Sequence, residues 1–219
     1  MAERRRSTYH HGDLRAALIT AGIALAREGG PQAVVLREVA RAVGVAPNSA
    51  YGHFATLAAL RQAVAVQAQT EMGAAMGVHL DAVAGDEPGD PREAAKAYLR
   101  EVGRAYVHFA LDEPGLFRTA MGGMPSRMGV PSQEPDDRHE PDTFLLRALA
   151  RLIETGCLRA EDRGRAVMAC WSTTHGLSVL LLDLLAPMSA EAREQAINDA
   201  HDVLIAGLSA GPAVQDPRP

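Results

Sequence analysis

The sequence predicts an all-α protein, with a three-helix N-terminal unit containing a helix-turn-helix and a larger helical domain behind it. Three observations carry this. Forty of the 219 residues are alanine, the best helix former and a poor strand former. Only 4% of the chain is aromatic, which suits closely packed helices. Apolar residues recur at three- and four-residue spacing along most of the chain, and no alternating strand pattern or internal repeat is present.

The first helix carries Leu14, Ala17, Leu18, Ala21 and Leu25 on one stripe, with Arg15 and Arg27 outside it. Gly29-Gly30-Pro31 ends it, because glycine supplies a left-handed cap and proline forbids continuation. A short second helix fits 36–43, with Leu36, Val39, Ala40 and Val43 facing inward. Gly44-Val45 makes a tight turn, and Pro47 opens a third helix at the position where its missing N–H costs nothing.

A long helical pattern runs over 56–84, a linker over 85–91, and a further helix over 92–111. Glu113-Pro114-Gly115 breaks the pattern before a short helix at 116–121. Residues 122–142, rich in Pro, Gly and acids, read as a mobile loop. Helices at 143–155, 162–185 and 190–208 follow, and 211–219 reads as a disordered tail. The organisation expected is thus a helix-turn-helix head at 1–60, a larger helical domain at 61–210, and the tail.

Composition excludes several classes. With 47% apolar and 22% charged residues the chain can bury a core. Cys157 and Cys170 build no disulfide framework and no CxxC spacing exists, so a reducing cytoplasm is expected. Arg4-Arg5-Arg6 leads into polar residues, unlike a signal peptide. The most apolar run, 176–188, contains Asp183 and is too short for the ~20 residues a bilayer requires, so no membrane partner is expected. Twenty-one Arg against one Lys points to a GC-rich bacterial genome.

The net charge of −5 hides an asymmetry: residues 1–61 hold eight Arg and four acids, the remainder fourteen basic and twenty-three acidic residues. A basic head on an acidic body suggests a polyanion partner for the head alone. In a helix-turn-helix the second helix enters the major groove with its N-terminal residues at base edges. Here those are Pro47, Asn48 and Ser49, with Tyr51 and His53 one turn on. Phe54 reads as core, and Tyr51 as either core or phosphate contact. Arg4-Arg5-Arg6 is either a solvated tail or a DNA-touching arm. His10 and His11 read as structural or DNA-proximal, and no metal is expected.

Leu36-Arg37-Glu38-Val39-Ala40, Gly44-Val45 and Tyr51-Gly52-His53-Phe54 together resemble the signature of TetR-type one-component transcription regulators. The resemblance covers the whole chain and is strongest over Tyr9–Leu60. Tyr9-His10-His11-Gly12-Asp13-Leu14 and Trp171-Ser172-Thr173-Thr174-His175-Gly176 resemble the branch whose C-terminal domain is named for its Trp-His-Gly residues. The resemblance implies a homodimer, a double-stranded DNA operator, and repression relieved by a small molecule. It points to Arg37, Pro47, Asn48, Ser49, Tyr51, His53 and Thr56 as DNA-facing. The chain departs from the family pattern at Val35, where the second helix usually starts on Ser or Thr, at Gly52, often a long side chain, and at Leu57, commonly Lys.

The acidic body holds Met72, Met76, Tyr98, Tyr106, Phe109, Phe117, Met121, Met168 and Trp171, whose soft and aromatic side chains suit an apolar ligand and equally an ordinary core, with all but Tyr98 and Met168 taken as the ligand-facing set. His175, one turn from Trp171, reads as ligand-facing or structural. Leu181, Leu185, Ile197, Ala200, Leu204 and Leu208 suit a four-helix interface between two copies, with a single monomeric core as the other reading. An enzyme is the competing class: Asp136-Asp137-Arg138-His139 mixes acids with a histidine, yet lies in a Pro/Gly-rich loop. The cysteines sit in apolar context, and no phosphate-cradling loop, HExxH spacing or cofactor motif occurs. A helical ligand-binding protein that never touches DNA is the remaining alternative.

Overall fold

The computed structural model describes residues 11–122 and 141–209. Arg4-Arg5-Arg6, Tyr9-His10, Asp136-Asp137-Arg138-His139 and the 211–219 tail lie outside the described residues, as does nearly all of the loop expected at 122–142. The described residues form α1 (His11–Ala33), α2 (Leu36–Val43), α3 (Pro47–Tyr51), α4 (Leu57–Val83), α5 (Pro91–Asp112), α6 (Pro114–Gly122), α7 (Pro141–Glu154), α8 (Arg163–Leu182) and α9 (Ala190–Ser209). No strand occurs among them, so the all-α expectation holds.

The chain divides into two compact units. One contains α1, α2, α3, α6 and α4 up to Gln69; the other contains the rest of α4 with α5, α7, α8 and α9. The boundary drawn at 60 therefore falls inside α4, and α6 joins the first unit across a long sequence separation.

In the first unit α1 bends where the sequence places its end: Gly30 has φ of 68° and ψ of −166°, outside helical space, and Pro31 restarts the chain for a single turn. Leu18, Ala26, Val34, Val39, Leu60, Val64 and Leu116 form an almost fully buried interior. Glycine sets the helix spacing. A Cβ at Gly22 would lie 2.5 Å from Val64 Cγ2, and one at Gly115 would run into the carbonyl oxygens of Ala26 and Arg27. Arg27 clamps the same end of the α1–α6 pair through Glu113, with Nε 3.0 Å from the carboxylate.

In the second unit α5 is the central helix, packing on α7, α8 and α9. Its inward stripe contains Leu99, Val102, Tyr106, Val107 and Phe109. Gly156, with φ of 70°, caps α7: its N–H and that of Cys157 reach back to Ile153 O (3.0 Å) and Leu152 O (2.8 Å).

Two expectations are corrected here. Helix α8 ends at Leu182 rather than 185, because Asp183 leaves helical space (φ −119°, ψ −85°). Leu181 and Ile197, expected on a dimer face, are instead buried with Val107 inside this unit, with Leu185 packed partly against them. The inward stripe of α9 is Ile197, His201 and Ile205; it shares Ile197 with the stripe read from sequence and then runs one residue later. Ala200 and Leu208 are half-buried beside it, and Leu204 is half-buried against the cavity described below.

Candidate functional site

Helix α2 is built to be buried on one side only. Leu36, Val39 and Ala40 face the interior, while the Arg37 and Arg41 side chains are 78% and 75% exposed. Glu38 lies between them, 2.9 Å from Arg41 Nε and 3.6 Å from Arg37 Nε. The Arg41 hydrogen bond, before any other cause, holds the Glu38 carboxyl below the usual carboxylate range. No side chain caps α2, since Val35 stands where an oxygen would be needed.

The turn is closed by backbone alone. Gly44 has φ of 78°, its N–H donates to Arg41 O (3.1 Å), and the Val45 N–H donates to Ala40 O (3.0 Å). That paired closure requires a left-handed residue, which glycine adopts without steric cost. It directs the chain into α3, where Pro47 occupies the first turn. Ala50 and Phe54 anchor α3 to the interior, and the Arg15 guanidinium sits 5.2 Å over the Phe54 ring. Pro47, Asn48 and Ser49 are left exposed, as is Tyr51 at 55%. Tyr51 is thus a surface ring, and His53 is half-buried. Thr56 caps α4, its Oγ1 accepting from the Ala59 N–H at 3.1 Å. Arg61 Nε donates to Val34 O (3.0 Å), tying α4 to the entry of α2.

The second unit holds an apolar cavity of about 40 Å³ lined by α4 (Met76), α5 (Leu99, Val102, Gly103, Tyr106), α7 (Pro141, Asp142, Leu145), α8 (Cys170, Trp171, Thr174) and α9 (His201, Leu204). The structure brings together three of the eight residues expected around a ligand: Met76, Tyr106 and Trp171. His175 stands behind them. Met72 and Phe109 are buried without lining the cavity, and Phe117 and Met121 belong to α6 in the other unit.

Trp171 meets Tyr106 edge-on, with centroids 5.8 Å apart and planes at 81°. The Tyr106 hydroxyl lies 3.0 Å from His175 Nδ1. Burial, reinforced by the Asp142 carboxylate, pushes the phenol far up, and burial pushes the His175 imidazole down. Both are therefore neutral, and the phenol and the imidazole share an uncharged hydrogen bond.

His201 was missed by the sequence reading, although its place four residues after Ile197 and four before Ile205 is the available signal. Its Nδ1 donates to Ile197 O at 2.7 Å, and Nε2 faces the Thr174 hydroxyl at 3.4 Å. Burial holds the ring neutral, opposed only in part by the Ile197 hydrogen bond. The imidazole packs onto Gly103, where a Cβ would overlap it. Cys170 is chemically quiet, because burial pushes its thiol up to about 12.

Two family models match the chain. Residues 18–64 match the model described as bacterial regulatory proteins of the tetR family. Residues 99–204 match the model of a tetracyclin repressor-like C-terminal domain. Together they cover most of the sequence. The chain belongs to the TetR family.

Solved structures agree on the fold. A protein of unknown function from Rhodococcus sp. RHA1 is 22% identical with a TM-score of 0.66, over 93% of this chain and 100% of that one. A TetR-family regulator from Marinobacter aquaeolei VT8 is 19% identical with a TM-score of 0.56, over 86% and 93%. PfmR of Thermus thermophilus, also a TetR-family regulator, is 24% identical with a TM-score of 0.52, over 87% and 98%. No curated protein matches the sequence. As a TetR-family member the chain is a DNA-binding transcription regulator rather than an enzyme. Among the described residues no helix is long and apolar enough to cross a membrane.

Proposed function

We propose that this TetR-family regulator acts in the bacterial cytoplasm, on the nucleoid, as a homodimeric repressor of a near-palindromic operator, released by a small apolar ligand. The observation that carries it is the exposed start of α3, where Pro47, Asn48, Ser49 and Tyr51 stand on a helix whose turn and inner face are rigidly fixed. Asn48 is the side chain suited to a base edge, Ser49 and Tyr51 to phosphate or sugar. Arg37 and the uncapped α2 N-terminus suit the backbone beside them.

The dimer reading is supported by what α8, the turn after it and α9 leave uncovered. With Leu181 and Ile197 inside, the apolar side chains facing out are Met168, Val179, Leu180, Leu184 and Val203, the last 75% exposed. An apolar surface on two adjacent helices suits a second copy of the same pair. Trp171, His175 and Gly176 on α8 support placement in the Trp-His-Gly branch.

The apolar cavity is the ligand site in this reading. At about 40 Å³ it exceeds the ~10–15 Å³ needed by one water but not the ~300–1,000 Å³ of small-molecule pockets. A ligand must therefore push its walls apart, moving α8 and α9 against α5. Any change thereby imposed on the spacing of the recognition helices, which must match grooves ~34–36 Å apart, weakens operator binding. Ligand and operator are then reciprocally coupled.

The test is a footprint and gel shift on DNA upstream of the regulator's own gene. A protected two-fold site, with Asn48→Ala costing ~1–3 kcal/mol, supports the reading. Val203→Glu, exposed in the single chain, should yield a folded monomer with poor operator affinity. A variant that stays dimeric moves the interface elsewhere. Absence of any sequence-specific protection favours a ligand-binding protein that does not read DNA.

A further inference from the structure

A second, roomier opening in the C-terminal unit plays no part in that reading. Residues of α4, α5, α7 and the segment joining α4 to α5 surround a cleft of about 380 Å³, a volume within the ~300–1,000 Å³ range of small-molecule sites without any movement of its walls. Its apolar wall is Leu80, Tyr98 and Phe144, and Gly77 keeps α4 open in front of Phe144, whose ring lies 3.6 Å from where a Cβ would be.

Its charges are unevenly matched. Glu101 is held by His79 at 2.9 Å and by Arg104 at 3.5 Å. Glu87 accepts from Arg151 Nη1 at 2.9 Å. Those two carboxylates have cations of their own. Arg151 in turn lies 4.0 Å from the Tyr98 ring centroid, which fixes its plane while most of its five N–H donors remain for another acceptor. One turn earlier on the same face of α7, exposed Arg147 sits 5.9 Å over Phe144. Among the described residues no carboxylate lies within ion-pair distance of it. Asp81, the one other lining charge, stands exposed where solvent screens it.

We propose that this cleft is a second binding site, taking a small aromatic monocarboxylate. The flat body packs on Tyr98, Phe144 and Leu80, and the carboxylate is received by Arg147 and Arg151. Two planar guanidinium groups four residues apart on one helix match a carboxylate's geometry. The three lining carboxylates disfavour a dianion such as a phosphate ester. The apolar surface beneath the arginines requires more than a simple inorganic anion.

The experiment is calorimetric titration of the full chain with 2-naphthoate and with its neutral alcohol, 2-naphthalenemethanol. Expected is one naphthoate per chain, with the alcohol weaker by ~10-fold or more, the scale of a lost charge-assisted hydrogen bond. Arg147→Gln, an exposed change, should weaken naphthoate similarly while leaving the thermal melt unchanged. Trp171→Ala, in the other cavity, should leave naphthoate affinity as it was. The proposal is overturned by absence of binding, by equal affinity for acid and alcohol, or by undiminished binding in Arg147→Gln. Loss of naphthoate binding in Trp171→Ala also overturns it, because that result seats the probe in the apolar cavity. None of these outcomes depends on DNA, so the operator reading stands or falls separately.

Discussion

The two units of this protein bring helices together by different means. In the N-terminal unit one glycine lets backbone approach backbone, Gly115 on α6 seated against the carbonyl oxygens of Ala26 and Arg27 on α1. In the C-terminal unit the corresponding gap is filled by a polar side chain, with His201 of α9 lying on Gly103 of α5. Backbone contact leaves no freedom to adjust, which suits a unit that presents a fixed surface. A side-chain contact next to a cavity can be rearranged, which suits a unit that admits a ligand.

The sharpest way to break this contrast is a matched pair of substitutions. Gly115→Val should cost ~3 kcal/mol, the upper part of the overpacking range, because the atoms it meets are carbonyls that no rotamer change removes. No second side-chain replacement on α1 should restore it. Gly103→Ala should cost ~1–3 kcal/mol by itself, yet Gly103→Ala combined with His201→Ala should recover much of that loss. Urea unfolding of the single and double variants measures the coupling, expected at ~0.5–3 kcal/mol for groups in contact. If the Gly103 and His201 changes simply add, the second unit is as rigidly packed as the first.

The same contrast decided what could be read from sequence. The head is specified by neighbours in the chain. Gly29-Gly30-Pro31, Gly44-Val45 and Pro47 each fix a turn through their own backbone preferences, and the bounds of α2 and the start of α3 follow directly. The body is specified by long-range packing, which periodicity reports only loosely. Along α9 the spacing admitted Ala200, Leu204 and Leu208 beside Ile197 as readily as the true inward companions His201 and Ile205, because a histidine does not advertise burial. Leu181 and Ile197 are apolar whether they face a partner copy or their own core, so their type could not separate the two. Phe117 and Met121 were grouped with Trp171 on chemistry alone, and only the path of α6 into the first unit separates them. Arg147 and Arg151 went unnoticed for the opposite reason. Exposed arginines four apart on a helix look like ordinary surface until Tyr98 and Phe144 are placed beside them.

The next effect in size depends on pH. Burial holds His201 and His175 neutral, so their folded-state proton affinities lie below the unfolded value of about 6.5. Between those values the unfolded chain binds more protons, so stability is fully present above pH ~6.5 and declines as the pH falls toward the lowered values. His201, the more deeply enclosed, should dominate, and no single group contributes more than ~1.4 kcal/mol per pH unit. His201→Gln should flatten the stability profile between neutral and mildly acid pH, whatever it costs at pH 8. An unchanged slope would mean that the imidazole reaches solvent and protonates without unfolding the chain.

The smallest effect sharpens the reading of the head. Glu38 stands between Arg37 and Arg41 on the exposed face of α2, where it offsets positive charge beside the proposed backbone contact. The Arg41 hydrogen bond holds its carboxyl low, so this offset persists into mildly acid solution. Glu38→Gln leaves both arginines in place and removes the opposing charge. Exposed ion pairs contribute little to folding, so the melting temperature should barely move. Affinity for duplexes of any sequence should rise modestly, and the dependence of log K on log salt should steepen by up to ~1, since each added phosphate contact releases about 0.9 counterion. Discrimination between operator and random DNA should stay the same, because the proposed base reader is Asn48 and not α2. An unchanged salt slope would remove α2 from the phosphate backbone and leave α3 to carry the interface alone. A change in discrimination without a change in slope would instead place Arg37 at a base edge.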